Sequence, residues 1–534
     1  MKTKITLFIV FLMMAGSLIA QTLPDGMVSL LPAGVTANID DTKKDTQFKN
    51  IVVAGKSGSK YKAFFPASEA EHGEELWVTD GTVAGTMMVK DINLGPSSSD
   101  INWMARFNDK VVFAATDGKD GMELWISDGT TNGTYMVMDI NEFGDSSPRG
   151  FTQVNETQFV FGAEDYDSQN YSDRGPQWWL WVSDGTSAGT KMIYQCDTKW
   201  PGQDQNYYTS PYMRVGRKVF FRADNKEGTV GEELWLTDGT TQGTILVKDI
   251  NTEKIATGTA NSAIDNMVNF YNEKLFFKAF SIESNNEPWA TDGTTDGTFQ
   301  IFDSNPTFDS NGFPRGGGAS DVKVPYNGKV FFRGFSLIAG CELASTDLTP
   351  NNYTLWDINQ NAPTSDNNSW PDVGCPFDSV YVFCANTGFD ANLSNNYGGE
   401  LHYTDGKTIK LQSDLAPGIL CNWANSLTVV AGSLYFIDGA NDVTDYKQKL
   451  FRIDSKDQFP IRVSNLNSNG DQITALRNLD GILLFSTFDA KGLYSYTYRK
   501  PNYDPTKDKD NLEIEYRTRA EIANNTAVPV ACCI

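Results

Sequence analysis

The chain is poor in histidine, with His72 and His402 alone in 534 residues. So few leave no room for a histidine-rich metal cluster and two chances at most for a histidine-centred nucleophilic triad. It is also short of positive charge, with 44 Lys+Arg against 67 Asp+Glu and a formal net charge of −23. That balance argues against nucleic acid or an anionic membrane as partner, because both need basic patches that displace counterions. No glycine-rich phosphate loop runs into a helical pattern, and no Gly-x-Ser-x-Gly nucleophile context occurs. Beyond residue 20 no apolar run is long enough to span a bilayer. What remains, at 40% hydrophobic and 21% charged, is an ordinary globular composition.

The first twenty residues read as an address. Lys2 and Lys4 precede an uncharged stretch from Ile5 to Met14, and Ala15, Gly16, Ser17 and Ala20 form a small-residue exit. This is a predicted signal peptide spanning 1–20, cleaved after Ala20, and too short for a membrane span. The expected destination is secreted, extracellular or cell-surface, or the periplasm in a bacterium, without membrane insertion.

A repeat organises the rest. Glu75-Leu-Trp-Val-Thr-Asp-Gly-Thr82 recurs as Glu123-Leu-Trp-Ile-Ser-Asp-Gly-Thr130 and Glu233-Leu-Trp-Leu-Thr-Asp-Gly-Thr240. Variants run from Trp179 to Thr186 and from Glu287 to Thr294, and each of the five is followed by a second Gly-Thr, as at Gly133-Thr134. Weaker copies stand at Glu342–Asp347, Glu400–Asp405, Leu450–Asp454 and Leu493–Tyr494. The repeated aspartates are roughly 48 to 58 residues apart, so about nine units fill the chain and little is left for another domain.

One unit can be read from residues 101–141. Ile101–Phe107 and Val111–Ala115 are strand-like and joined by a tight turn at 108–110. A Gly/Asp loop leads to Glu123–Ile126, and the Asp128-Gly-Thr turn leads to Tyr135–Met138. Asp-Gly favours a hairpin because glycine reaches positive φ and the carboxylate holds the N–H groups beyond it. Four short antiparallel strands per unit, with one Trp each, describe the blades of an all-β chain: a single β-propeller of eight or nine four-stranded antiparallel blades. We expect the repeats to occupy 48–500, with 21–47 an N-terminal segment able to close the ring and 501–534 a polar C-terminal segment. The ninth unit needs a last strand from Val28–Leu31 or from Leu512–Glu515.

On these residues the chain resembles the ELWxxDGT-repeat proteins, secreted or surface-associated, mostly bacterial and propeller-like. The resemblance covers Glu75 to Thr298 closely. It weakens afterwards, where Ala344, His402 and Phe451 replace the Trp. It implies an exported, repeat-built module and brings no settled activity with it.

Trp77, Trp125, Trp181, Trp235 and Trp289 are expected to pack between blades, since they occur once per unit and lie beside apolar residues. The repeated Glu75, Glu123, Glu233, Glu287, Glu342 and Glu400 and the repeated Asp80, Asp128, Asp184, Asp238 and Asp292 read as structural, through turn capping and backbone hydrogen bonding. A catalytic pair occurs once per protein, not once per blade. Function is expected where the repeat is broken. The insertion from Glu164 to Trp178 and the segment from Asp197 to Tyr208 gather Tyr171, Trp178, Trp200, Tyr207 and Tyr208 with Asp165, Asp167, Asp173 and Arg174. Flat aromatics rimmed by planar polar groups suit glycan or protein surfaces. Asp165, Asp167 and Asp173 could gather oxygens for Ca²⁺, although the spacing is not that of an EF-hand; no other cofactor is expected and no metal site is assigned. Seven cysteines, Cys196, Cys341, Cys375, Cys384, Cys421, Cys532 and Cys533, permit bridges in an exported chain. The expected function is an exported non-enzymatic binding or scaffolding module for glycans or proteins. The alternatives are a secreted polysaccharide-active hydrolase and a structural subunit of a surface assembly.

Overall fold

The computed structural model describes residues 27–39, 50–57, 60–165, 177–195, 212–225, 229–255, 258–303, 325–336, 340–358, 368–386, 399–413, 425–438, 449–463, 473–487, 491–496 and 498. Among the described residues there is no helix, and the strands form nine consecutive antiparallel blades around a ring. Blade one is built from Val52–Ser57, Lys60–Glu69, Gly73–Thr79 and Met87–Lys90. Blade two is built from Asn102–Phe107, Lys110–Thr116, Met122–Ser127 and Tyr135–Met138. Their successors begin at Arg149, Tyr212, Asp265, Asp372, Asn425 and Ile473, and blade six shows Val330–Ser336, Gly340–Thr346 and Tyr353–Trp356.

The ninth blade settles the choice of closing strand. Ile473–Leu479, Ile482–Thr487 and Leu493–Tyr496 come from the end of the chain, and the outermost strand is Met27–Ser29, with Met27 opposite Tyr496. Leu512–Glu515 lies outside the described residues. From there the chain crosses to blade one. The Leu30 and Ala37 N–H groups donate to the Leu493 and Lys491 carbonyls, and Thr36–Ala37 pairs with Ala67 and Ser68. The N-terminal stretch thus holds blade nine to blade one.

The hydrophobic core lies between blades. Phe64, Leu76 and Val78 of blade one pack with Val111, Phe113 and Trp125 of blade two. Val112, Leu124 and Ile126 of blade two pack with Phe159, Phe161 and Trp181 of blade three. In the units that keep it, the Trp faces the preceding blade: Trp235 meets blade three, Trp289 meets blade four and Trp77 meets blade nine. Second- and third-strand residues alternate between the two neighbouring interfaces, so a blade cannot bury its faces alone.

The inner strands are kinked in a common way. Asn102 opposes Ala114 and Ala105 opposes Val112, leaving two residues against one, and equivalent bulges interrupt Arg149–Thr152, Asp265–Val268, Asn425–Thr428 and Thr474–Arg477. A left-handed residue sits inside each: Trp103, Gly150, Asn266, Ser426 and Ala475. A bulge adds local twist, which bends the inner strand where the ring is tightest.

Candidate functional site

The connections fall into two kinds on two faces. Inner-to-second turns, such as 108–109 and 156–157, are tight, and on the same face lie the third-to-outer turns carrying Asp-Gly-Thr. The opposite face receives the second-to-third connections and the crossings between blades, and these vary in length: 70–72, 117–121 and 166–176 for the former, 139–148 and 196–211 for the latter. Among the described residues, the connections that vary most in length therefore emerge on one face, called here the loop face.

The Asp-Gly-Thr turns explain their own motif. Asp128 Oδ1 accepts the Thr130 N–H (2.9 Å) and hydroxyl (2.7 Å), and the Thr130 hydroxyl oxygen accepts the Gly133 N–H at 3.0 Å. The Thr134 hydroxyl lies 2.7 Å from both the Thr130 carbonyl and the Ser127 hydroxyl. Gly129 has φ 83°, and a Cβ on Gly133 would lie 2.1 Å from the Asp128 carboxylate. Asp80, Asp184, Asp238 and Asp292 repeat this pattern. Hydrogen bonds from Thr186 and Thr294 hold the Asp184 and Asp292 carboxyls below the usual range.

The repeated glutamates do something else: they latch one blade to the next on the loop-face side. Glu123 accepts the Ile140 N–H at 2.8 Å, the Ser146 N–H at 2.9 Å and the Ser146 hydroxyl at 2.6 Å. Ser146 opens blade three, and its carbonyl accepts the Glu164 N–H. Glu342 with Ser369 repeats the arrangement, and Glu233 accepts the Ile250 N–H and the Ser262 hydroxyl. All are sealed from solvent. Burial, opposed by these hydrogen bonds, pushes the Glu75 carboxyl up to about 7 and those of Glu123, Glu233 and Glu342 up to about 8. Turn capping, expected from sequence, belongs to the aspartates; the glutamates bridge blades.

The two histidines differ in setting, His402 being buried and His72 partly exposed. His402 stands where other units have Trp, 1% exposed, its Nδ1 at 2.9 Å from the Glu400 carbonyl, and burial lowers its pKa to about 4. His72 Nδ1 lies 2.5 Å from Glu69 on the loop face. Cys375 and Cys384 are buried thiols in the core between blades seven and eight, and Cys341 is a half-buried thiol raised by desolvation. Cys196, Cys421, Cys532 and Cys533 lie outside the described residues.

The aromatic-acidic group is only partly placed. Asp165 ends the second strand of blade three opposite Gln177, and the Trp178 backbone pairs with Glu164. Tyr171, Trp200, Tyr207, Tyr208, Asp167, Asp173 and Arg174 lie outside the described residues. Both segments nonetheless leave from and return to the loop face, one within blade three and the other between blades three and four. Among the described residues no group of three His, Cys, Asp or Glu could hold a metal ion, and no helix is long and apolar enough to cross a membrane.

Sequence reasoning missed a second feature of this face. The residue after each latch serine is left-handed: Asp100, Ser147, Ala263 and Trp370, with φ between 45° and 50°. Trp370 is 45% exposed, and the Arg333 guanidinium lies 5.5 Å from its ring. Beside it, between blades six and seven, a crevice with room for about one water is lined by Phe331, Arg333, Pro371, Asp372, Tyr381 and Phe383. A Ser-Trp-Pro triplet just ahead of an inner strand, outside the repeat's Trp position, was the available signal.

No protein-family model matches the chain. No curated protein matches it either. Among solved structures it is similar to a puromycin-hydrolysing peptidase of Mycobacterium tuberculosis, at 9% identity and TM-score 0.37, over 67% of this chain and 52% of that one. A prolyl endopeptidase structure follows at 11% identity and TM-score 0.38, covering 84% and 56%. The β-propeller domain of the Trilobed protease from Pyrococcus furiosus shows 12% identity and TM-score 0.31, covering 69% and 97%. The chain spans about half the length of the first of these peptidases. The likeness is one of fold. These neighbours are described as peptidases, which stands against the expectation of a non-enzymatic module for glycan or protein surfaces.

Proposed function

We propose that the chain is a peptidase-associated propeller: an exported ring that receives extended peptide at its loop face. The observation that carries the reading is that, among the described residues, the connections of variable length lie on one face of a ring whose other face carries short repeated turns. Such a ring presents one variable surface on a rigid base, the arrangement in which binding residues are placed on loops and held by a scaffold. Depleting the chain from the exported fraction of the producing cells should lower hydrolysis of unstructured peptides, and adding back purified chain should restore it. Hydrolysis indifferent to depletion would sink the reading.

A further inference from the structure

We infer that the ring is built as two latched arcs, blades one to three and blades four to eight, which part at the junction of blades three and four and pivot about blade nine. Such a movement is independent of what the loop face binds.

The latch residue marks where the arcs end. It sits on the third strand opposite a small residue of the second: Glu75 opposes Ala67, Glu123 opposes Ala115 and Glu233 opposes Ala223. Glu287, Glu342 and Glu400 hold the same register, and all six are at most 1% exposed. In blade three the residue opposite Ala163 is Trp179, which has no carboxylate to accept from the next blade. Its indole packs instead in the core shared with blade two, together with Trp181. One substitution thus adds apolar contact between blades two and three and takes the latch from the junction that follows. In blade eight the position holds Lys449, opposite Asp438, and in blade nine it holds Gly492. Neither side chain is an acceptor, so blade nine carries no glutamate latch on either side.

A second repeated tie changes at the same junction. Lys90, at the end of the outer strand of blade one, donates from Nζ to the Thr134 carbonyl of blade two at 2.8 Å, and Lys248 of blade four donates to the Thr298 carbonyl of blade five at 2.8 Å. Tyr194 takes this place in blade three, where its hydroxyl donates to the Asp224 carbonyl at 3.0 Å and its ring lies 4.7 Å from that of Trp235. Around it the junction is packed by Leu180, Val182, Phe221 and Trp235. Apolar contact is non-directional, whereas a carboxylate that gathers several donors holds one arrangement. A closed ring cannot part at one seam unless it yields at another. Blade nine supplies the second place, because a strand of only three residues, Met27–Ser29, completes it and glutamate latches are missing from both its sides.

The repeat tryptophans report the junctions one by one, since each faces the preceding blade. Trp235 and Trp289 are both 8% exposed, so a difference in their reactivity reads opening rather than resting exposure. The test footprints the full mature chain with hydroxyl radicals and reads the oxidation of each indole by mass spectrometry. Trp235, at the seam, should be oxidised roughly threefold faster or more than Trp289 and Trp125, which lie inside the arcs. Trp77, beside blade nine, should also exceed Trp125. Glu233→Ala removes the latch between blades four and five and should raise Trp289 to the rate of Trp235 while leaving Trp125 unchanged. Glu233→Gln, which keeps the size of the side chain, should move Trp289 in the same direction and serves if the alanine variant does not fold. Trp235 no faster than Trp289 overturns the seam, and Trp77 no faster than Trp125 overturns the pivot. Equally fast oxidation of all five repeat indoles would mean that the ring loosens as a whole. Trp289 unmoved in a folded Glu233 variant would show that the latches do not decide where the ring parts; either result overturns the arcs.

Discussion

Glu75, Glu123, Glu233 and Glu342 carry carboxyl groups that the folded ring raises to between about 7 and about 8, chiefly through burial. The folded chain therefore holds more protons than the unfolded one between the ordinary carboxyl value and that range, and stability falls as pH rises through it. His402 works the other way: burial lowers its pKa to about 4, so its contribution is lost as pH falls below the usual histidine value. Four carboxyls outnumber one imidazole, and the melting temperature is expected to drop from pH 5 to pH 8.5. It should do so even in 1 M salt, where repulsion among surface acids is screened. Glu123→Gln should shallow that slope and also lower stability by about 1–3 kcal/mol, because an amide N–H₂ would face donors that now point at a carboxylate oxygen. A melting temperature that climbs across this window would show the carboxyls to be ionised in the fold.

At the scale of the element, the Asp-Gly-Thr turn is a closed circuit in which Asp128 and Gly133 depend on each other. Asp128→Ala removes the acceptor for two donors and should cost roughly 1–2 kcal/mol. Gly133→Ala drives a methyl group into the same carboxylate and should cost at least as much. The double variant should cost clearly less than the sum, since the alanine at 128 vacates the space the new methyl needs; chemical denaturation of the four proteins reads the coupling, and strict additivity would refute it. Elements of this kind were legible from sequence because every partner lies within seven residues. The glutamate latch was not: Ser146 follows Glu123 at a distance set by a crossing of variable length, and Asn93 rather than a serine supplies one of the donors to Glu75. The inner-strand bulges were hidden as well, because Trp103, Gly150, Asn266, Ser426 and Ala475 share a conformation and no chemistry. Blade identity came from periodicity, whereas the binding surface depends on which connections share a face, and that is a property of topology rather than of any residue type.

The whole molecule is held as a ring by its two ends. Met27–Ser29 completes the last blade, and residues 30–38 carry the closure across to the first. Removing residues 21–31 should open the ring at one interface only. Hydrogen exchange is expected to rise first in Ile473–Leu479, Ile482–Thr487 and Val52–Ser57, with blades three to five protected nearly as before. Uniform loss of protection would mean that the blades stand or fall together. The closing strand has a consequence in time as well as in space. The first strand of the chain finds its partner only after nearly every other residue has been laid down, so the contact with the greatest sequence separation is also the one that ends the search. Eight interfaces can form between neighbours as the chain grows, each local and fast, and the ninth waits for the final blade. Until then one end of the array shows the unpaired edge of Leu493–Tyr496, a surface open to strands from other molecules.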